Sequence, residues 1–333
     1  MNSYGTLFKV TLYGESHQKA IGVIIDGVLP GLKIDETLIT KDLQKRKAGA
    51  VGTTTRIEKD AFEILSGVFN GYTTGSPIHI MIENKDVRSK DYTALKKHPR
   101  PGHADYVAHV KYHGFNDYRG GGRFSGRLTA ALVCAGAIAK QLLPFNIKHE
   151  LVQVGTLKDM RKIDSYLADI EKQGDSVGGI IKLYTDPLPI GIGEPNFQKL
   201  DAEIAKMLFS IPAVKGVDIG LGFDGIDKFG STFNDAVLDE TGKTKTNHSG
   251  GITGGISNGN PLEVRVMIKP TSSIKKTQNT YHTEDKKTKD LTIKGRHDVC
   301  IARRAGIVLE NALAIVLADL YLMHLNYKTF SKD

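Results

Sequence analysis

A glycine-rich segment flanked by arginines, residues 119–127, carries the strongest chemical signal in the sequence. It reads Arg-Gly-Gly-Gly-Arg-Phe-Ser-Gly-Arg. Successive glycines let backbone N–H groups approach a ligand closely, and a helix beginning near Ser125 would add the positive end of its dipole. Arginine supplies planar, permanently charged donors that fit phosphate and carboxylate groups. The segment therefore predicts an anion-binding loop at the start of a helix.

Two histidines could bring acid or base chemistry to such a site. His17 follows a predicted strand, and taken alone it fits a capping or surface role better than a catalytic one. His103 lies between a Pro-Gly pair and a predicted helix start, where the helix dipole favours the neutral imidazole, so it could serve as acid or base. Arg296 and Asp298 could belong to the same site or simply pair with each other.

Other groups give weaker signals. His109 and His113 have a helical spacing that can bind a metal, but no third ligand is evident, so no metal site is predicted. The glycine pairs at residues 250–251 and 254–255 fit either a flexible turn or a backbone surface against a planar cofactor. Glycine content alone does not distinguish these two interpretations.

The charge favours a small anionic ligand over a nucleic acid. The 333-residue chain has a formal net charge of +8, yet arginine is the minority among its 45 basic residues and clusters beside glycine, histidine and aspartate. Lysine is scattered, as on a solvated surface. No helix-turn-helix, zinc-finger or aromatic RNA-binding pattern accompanies the charge, so no nucleic-acid partner is expected.

The sequence predicts a cytoplasmic protein without a membrane segment. The first residues do not resemble a signal peptide, and the apolar runs at 128–139 and 301–325 are too short or contain carboxylates. The two cysteines, Cys134 and Cys300, fit neither a disulfide framework nor a zinc site.

Both strands and helices must position these groups. Alternating apolar residues predict strands near 8–12, 20–28, 78–82, 177–184 and 262–268, and longer apolar patterns predict helices near 35–47, 104–113, 126–143, 200–210 and 299–325. Polar loops near 84–103 and 274–295 are too long for simple connections, which predicts ligand-binding segments. No linker interrupts the chain, so one α+β domain over residues 1–333 is expected.

Taken together, the polar segments resemble the chorismate synthase family in order and residue identity, over about residues 5–325. The matching segments are residues 14–17, 100–106, 117–127, 269–273 and 294–298, with Glu310. The resemblance implies a single-domain β-α-β sandwich with helical layers and antiparallel sheets, assembled as a homotetramer. The family converts 5-enolpyruvylshikimate 3-phosphate to chorismate by 1,4-anti elimination of phosphate. This is the last common step of the shikimate pathway to the aromatic amino acids, and it requires reduced FMN without net redox change.

The same resemblance implies catalytic roles. His17 resembles the acid that protonates the departing phosphate, and His103 resembles the group that protonates or stabilises the reduced flavin. Ser16 and Asp298 resemble the pair that helps flavin N5 take and pass on the substrate proton. The hydrogen lost from substrate carbon is barely acidic, which is why a reduced flavin, a transient electron donor, is used.

Binding residues are implied in the same way. The implied FMN contacts are Arg123, Phe124, Ser125, Pro212, Ala213, Gly254, Lys269, Pro270, Thr271, Ser272, Ser273 and Arg296. Arg46, Arg127 and Arg296, with Lys269, are the implied charge partners of the acidic substrate. Arg46 also matches a position associated with NADP in members that reduce their own flavin, which leaves NADPH open as a reductant.

Several positions depart from the family pattern. Gln18 replaces glycine, Ala48 proline, Gly52 arginine, Phe124 serine, Gly126 alanine and Pro212 asparagine. Proline also removes a backbone N–H. Because both histidines remain, the sequence favours an active FMN-dependent lyase. The alternative is a flavin or phosphate-ligand binding protein of the same fold that has lost turnover.

Overall fold

The computed structural model describes residues 1–54, 60–85, 94–293, 295 and 297–328. The strands in these ranges are β1 (Ser3–Tyr4), β2 (Lys9–Gly14), β3 (Ala20–Asp26), β4 (Phe62–Ser66), β5 (Val68–Phe69), β6 (Tyr72–Thr73), β7 (Ile78–Glu83), β8 (Ile147–Val154), β9 (Gly179–Pro187), β10 (Val214–Ile219), β11 (Ile252–Thr253), β12 (Ile256–Ser257), β13 (Pro261–Ile268), β14 (Gln278–His282) and β15 (Lys287–Leu291). The α-helices are α1 (Glu36–Arg46), α2 (Asp105–Lys111), α3 (Thr129–Leu142), α4 (Ile163–Lys172), α5 (Leu200–Ser210), α6 (Gly230–Phe233) and α7 (Ala302–Lys328).

Two antiparallel sheets form the outer layers. One has the strand order β1-β2-β3-β7-β4, and the other has the order β10-β13-β9-β8. Their period-two patterns place one face of each sheet in the core. In β7, Ile78, Ile80 and Ile82 are buried, and Val23 of β3 lies opposite Ile80. The same alternation buries the apolar positions of β13, where Val264 pairs with Leu183 of β9.

A helical layer lies between the sheets. Helix α3 packs on α7 and on β3 and β7, while α7 packs on β8 and β9, with α1 and α5 beside them. Small residues allow this close approach: a β-carbon on Gly136 of α3 would lie 2.6 Å from the Cα of Asn311 on α7. The resulting α+β, β-α-β sandwich confirms the predicted fold class.

The last helix, α7, passes through the middle of the protein. It is long and apolar enough to cross a membrane by length and composition, but 83% of its most apolar stretch is buried, as in a core helix. Near its end, Asp319 accepts hydrogen bonds from the backbone N–H groups of Thr6, Leu7 and Phe8 at 2.7–3.0 Å. Helix α7 therefore holds the first residues of the chain against the core.

The structure modifies three predicted segments. Residues 274–295 are not simply a loop, because β14 and β15 form a hairpin there. Apolar periodicity gave no signal for this hairpin because neither of its faces enters the core, and its residues are mostly polar. The helix predicted over 126–143 begins as a separate 3₁₀ turn, Gly126–Leu128, before α3. Within 84–103, residues Ala94–Lys96 form a 3₁₀ turn.

Candidate active site

A cationic pocket of about 620 Å³ lies where several of the predicted segments meet. Its walls come from the residues after α1, segment 100–104, segment 120–127, the end of α5, the residues after β13 and the start of α7. Among the described lining residues, eight are Arg or Lys and two are Asp. A pocket of this size suits a small-molecule ligand, and its charge excess favours a polyanion.

Three consecutive glycines shape one wall of the pocket. Gly120, Gly121 and Gly122 have φ values of 60°, 79° and 51°, in the left-handed region that favours glycine. A β-carbon on Gly120 would lie 2.5 Å from His17 Nε2 and 2.8 Å from Ser16 Oγ. No side chain fits there without displacing both residues.

The arginines around this turn do not all face the ligand space. Arg119 binds Asp117 through Nε at 2.8 Å and Nη2 at 2.6 Å, and it does not line the pocket. Arg123 lines the pocket but donates Nη1 to the carbonyl of Gly14 at 3.1 Å and Nη2 to that of Leu12 at 2.9 Å. Of the three arginines around the turn, Arg119 therefore does not bring its charge to the pocket, because Asp117 neutralises it locally.

His17 and Ser16 are buried against the glycine turn. Their exposed fractions are 6% and 1%, and the Ser16 backbone N–H donates to the Gly122 carbonyl at 3.3 Å. The Ser16 hydroxyl is buried without a hydrogen-bond partner. Because Gly120 both contacts these side chains and lines the pocket, the pair lies one glycine away from the ligand space.

His103 lies on the opposite side of the turn, in a charged cluster. Its Nδ1 is 2.6 Å from Asp105 Oδ1, and Arg100 Nη2 lies 3.0 Å and 3.2 Å from the two ring nitrogens. A β-carbon on Gly121 would be 3.6 Å from His103 Nε2. The structure thus places both predicted histidines against neighbouring glycines of one turn.

Arg46 and Arg127 are buried together around one carboxylate. Arg46 Nη1 lies 3.1 Å from Asp60 Oδ2, and Arg127 Nη1 binds the other oxygen of Asp60. Arg127 Nε also donates to Asn84 Oδ1 at 3.0 Å. These contacts hold two guanidinium groups side by side at the pocket wall.

Asp298 lines the pocket near the start of α7. Its carboxylate accepts from Arg304 Nε at 3.1 Å and Nη2 at 2.7 Å, and from the Thr54 backbone N–H at 3.0 Å. A neighbouring residue expected at the site, Arg296, lies outside the described residues. The ion pair observed for Asp298 is therefore the one with Arg304.

The segment after β13 forms another wall. Lys269 Nζ donates to Ser272 Oγ at 3.0 Å and to the Gly102 carbonyl. Burial lowers the pKa of Lys269, and the charge of Lys215 lowers it further. Ser273 Oγ accepts from Arg100 Nη1 at 3.1 Å, and the buried Thr271 hydroxyl has no hydrogen-bond partner. Pro270 completes this wall.

The remaining expected cofactor residues divide into two groups. Ser125, Pro212 and Ala213 line the pocket, as does Phe124, which is 37% exposed and lies 6.5 Å from the Tyr112 ring between centroids. Gly254 does not line it and belongs to a separate hollow of about 500 Å³.

Sequence reasoning missed several residues of the pocket as site residues. They are Asp60, Arg100, Lys215 and Arg304, which line it, and Asp105, which does not line it but contacts Arg100 and His103. Arg100 and Asp105 flank His103 in the sequence, so their proximity was a usable signal. The others reach the site from separate elements, and only the fold brings them there. Within the described ranges, no three His, Cys, Asp or Glu side chains are placed to hold a metal ion.

Comparison with known proteins gives a consistent result. A family model described as chorismate synthase matches residues 8–322. The chorismate synthase of Chitinophaga pinensis is 50% identical over 97% of this chain and 97% of that relative, and the one of Methanobrevibacter smithii is 43% identical over 96% and 95%. A chorismate synthase crystal structure matches with a TM-score of 0.74 at 27% identity, over 96% of this chain and 93% of the solved one. The chain belongs to the chorismate synthase family.

Proposed function

We propose that the cationic pocket is the site at which this chain carries out the reaction of its family. The chain is a carbon–oxygen lyase that converts 5-enolpyruvylshikimate 3-phosphate to chorismate by 1,4-anti elimination of phosphate. The observation that carries the assignment of the pocket is its excess of cationic over acidic lining residues. The comparisons support the active lyase rather than the lapsed binding protein.

The substrate needs this concentration of positive charge. It carries one phosphate and two carboxylates, and burying such groups without partners would cost many kcal/mol. Arg46 and Arg127 are held together by Asp60, and Lys269 and Arg100 line the same pocket. We assign these four residues, together with Arg296, to binding the substrate anions.

The pocket also fits FMN as a second polyanionic ligand. The unpartnered Thr271 hydroxyl is a buried polar group that a ligand would satisfy. The residues that would hold FMN are Ser125, Pro212, Ala213 and residues 269–273, with Phe124 providing an aromatic surface. Bound in reduced form, FMN supplies the transient electron donation that this elimination requires. The contact expected from Gly254 has no support from this pocket.

The chain's own acid and base groups lie on the two sides of the glycine turn. We assign His17 the role of protonating the departing phosphate, because it is buried against Gly120 at the pocket wall. His103, against Gly121, would donate or hold a proton at the flavin. We further assign Ser16 and Asp298 to relaying the substrate proton, since Ser16 has a buried hydroxyl with no partner.

We propose that this chain has no NADPH site of its own, so that NADPH could supply electrons to FMN only through another protein. Position 52, where the family often has arginine, is a glycine with φ 78° whose β-carbon would lie 2.7 Å from Leu167 Cδ1. No long side chain fits at position 52, so the arginine of the family pattern has no counterpart there. NADPH oxidation in the presence of FMN should therefore stay at the level measured without the protein.

We also propose that copies of the chain assemble into a homotetramer in the cytoplasm. Phe223, Ile226 and Phe229 lie close together in sequence after β10 and are 83%, 92% and 80% exposed. Large exposed apolar patches are typical of interaction surfaces. Cys134 and Cys300 are buried free thiols, as in a reducing compartment. Light scattering should give four chains of 36.3 kDa, and a monomer would contradict the assembly.

An anaerobic assay tests the proposed function. Purified protein, chemically reduced FMN and 5-enolpyruvylshikimate 3-phosphate should release phosphate and chorismate in equal amounts. Oxidised FMN should give no product. Tight binding of both ligands without product would instead establish the lapsed binding protein.

Substitution of the two histidines tests their roles. His17→Ala and His103→Ala should each lower kcat at least tenfold and by up to about ten-thousandfold, the range for positioned acid or base catalysis. His109→Ala is the matched control, because His109 is exposed on α2 and outside the pocket lining. A near-normal rate in either test variant would remove that histidine from the mechanism.

A further inference from the structure

We infer that Asp105 is a positioning residue of the active site, which holds the His103 ring in one tautomer and one orientation. The inference rests on the proposed role of His103 in the pocket. Asp105 lies in a segment that matches the family pattern, but the resemblance implied no role for it, and it does not line the pocket itself. It acts on the reaction only through the histidine.

The contact between the two side chains fixes the position of a proton. Asp105 Oδ1 lies 2.6 Å from His103 Nδ1. An ionised carboxylate only accepts hydrogen bonds, and this contact is shorter than the 3.0 Å contact of Nδ1 with Arg100 Nη2, which assigns the hydrogen to Nδ1. In the neutral ring the lone pair is then on Nε2, the nitrogen that lies beside Gly121 at the pocket wall. Asp105 therefore determines which nitrogen can accept a proton there.

Asp105 is itself held rigidly and in its ionised form. Arg100 donates to its carboxylate through Nε at 2.7 Å and Nη2 at 2.8 Å, and the Arg100 backbone N–H adds a third bond at 3.1 Å. Burial alone raises the pKa of Asp105, but the hydrogen bonds from Arg100 and His103 outweigh it and leave this pKa well below its ordinary value. The carboxylate cannot turn away from His103 without breaking its hydrogen bonds to Arg100.

The hydrogen-bonded chain continues to Ser273, in the segment after β13 that lines the pocket. Arg100 also donates through Nη1 to Ser273 Oγ at 3.1 Å. The connected groups are Ser273, Arg100, Asp105 and His103, and Ser273 and His103 both line the pocket. The ring orientation is thus tied to the wall against which a ligand would bind. Carboxylates that orient a histidine in this way are common supports of catalytic and ligand-binding imidazoles.

A purely structural role for Asp105 makes a different prediction. Asp105 is the first residue of α2, where a negative charge favours the helix. If Asp105 only stabilised the helix, its substitution would lower the stability of the protein. Any effect on kcat would then be the same whether or not His103 is present. A test must therefore measure whether Asp105 and His103 act as one unit.

The decisive experiment is a double-mutant cycle on the reduced-FMN assay. In Asp105→Asn the amide oxygen remains for Arg100, which can only donate, so the amide NH₂ faces His103 Nδ1 and forces the hydrogen to Nε2. We expect kcat to fall at least about tenfold, with KM for the substrate changed less than about threefold. In a His103→Ala background the same substitution should cause no further fall.

Three outcomes are distinguishable. An equal fall in both backgrounds, or no fall in either, would overturn the positioning role. A normal rate for His103→Ala alone would instead refute the proposed function of that histidine. Asp159→Asn is the matched control, because Asp159 also binds an arginine, Arg161, through two bonds at 2.8 Å and 3.0 Å, but at the surface. It should leave kcat unchanged.

A measurement on the unaltered protein covers the case in which Asp105→Asn does not fold. Histidine ¹⁵N resonances of the labelled protein report the tautomer, and the His103 signal is identified by its loss in His103→Ala. We expect the neutral ring to carry its hydrogen on Nδ1. A hydrogen on Nε2 would overturn the inference without any activity measurement.

Discussion

At the scale of single residues, the pocket depends on a few side chains and glycines whose size or charge is fixed by their neighbours. Asp60 is the clearest case, because one buried carboxylate serves two buried guanidinium groups. It also has a φ of 47°, in the region that few residues other than glycine adopt. A strained backbone at such a position is tolerated where the side chain's contacts over-determine it.

Removal of the shared carboxylate should be costly. Asp60→Asn leaves Arg46 and Arg127 buried without its negative charge, and breaking a buried ion pair typically destabilises by about 3–5 kcal/mol. We expect a lower urea midpoint of unfolding and a raised KM for the substrate. Asp169→Asn, which removes an exposed partner of Lys172, should change neither quantity. Equal effects of the two substitutions would contradict the role of Asp60.

The glycine turn gives a second prediction at this scale. Gly120→Ala places a methyl group against His17 and Ser16 on a left-handed backbone, so both the fold of the turn and kcat should suffer. We expect a loss of about 1–3 kcal/mol in the free energy of unfolding. Gly126→Ala is the matched control on the same segment, since its β-carbon meets nothing within 4 Å. Thermal unfolding of the two variants measures the difference.

At the scale of elements, prediction succeeded where one face enters the core. Helix α5 was predicted with its observed bounds, and the strands around residues 78–82 and 262–268 were found from their alternation. The β14–β15 hairpin was missed because its backbone pairing leaves no apolar pattern in the sequence. The periodicity of apolar residues thus indicates which face of an element is buried, and it gives no signal for elements that lie outside the core.

Helices α3 and α7 approach each other closely at Gly136. Gly136→Val would force the two helices apart, because even a β-carbon at this position overlaps Asn311. Overpacking of this kind costs about 1–3 kcal/mol or more. We expect a clear drop in Tm, measured by circular dichroism. Gly230→Ala, where a β-carbon meets nothing within 4 Å, should leave Tm nearly unchanged.

At the scale of the whole molecule, the charge balance of the sequence indicated a small anionic ligand but not how the charges are arranged. The chain's excess of basic residues did predict a cationic pocket. Which arginines face it was only partly predictable: Arg119 pairs with Asp117, two residues earlier in the sequence, whereas Arg123 is engaged by the Gly14 carbonyl, which only the fold brings near. The extent of the single domain over residues 1–333 stays a prediction.

A buried charge cluster ties the layers together and makes stability depend on pH. Glu310 on α7 binds Lys140 on α3 and His149 on β8, and Lys140 also binds Asp42 on α1 at 2.7 Å. Burial raises the pKa of Glu310, but the His149 hydrogen bond and the charge of Lys140 outweigh it, so the net pKa is lowered from 4.5.

The sign of the pH effect follows from this shift. Because Glu310 is more acidic in the folded state, its contribution to stability is complete above the unfolded value of 4.5 and is lost as the pH falls through the folded value. The free energy of unfolding, measured in urea from pH 7 to 3.5, should fall more steeply below pH 4.5 than in Glu310→Gln. Parallel curves would show that the cluster does not contribute.

The central position of α7 also has a consequence for synthesis of the protein on the ribosome. Every strand of both sheets precedes this helix in the chain, yet α7 covers the inner face of β8 and β9 and anchors residues 6–8 through Asp319. During translation the apolar inner face of β8 and β9 and the side of α3 that meets α7 therefore remain uncovered until α7 has emerged. The nascent chain should be a substrate for chaperones from the synthesis of these elements until that of α7, and native activity should arise only after α7 is available to fill the centre.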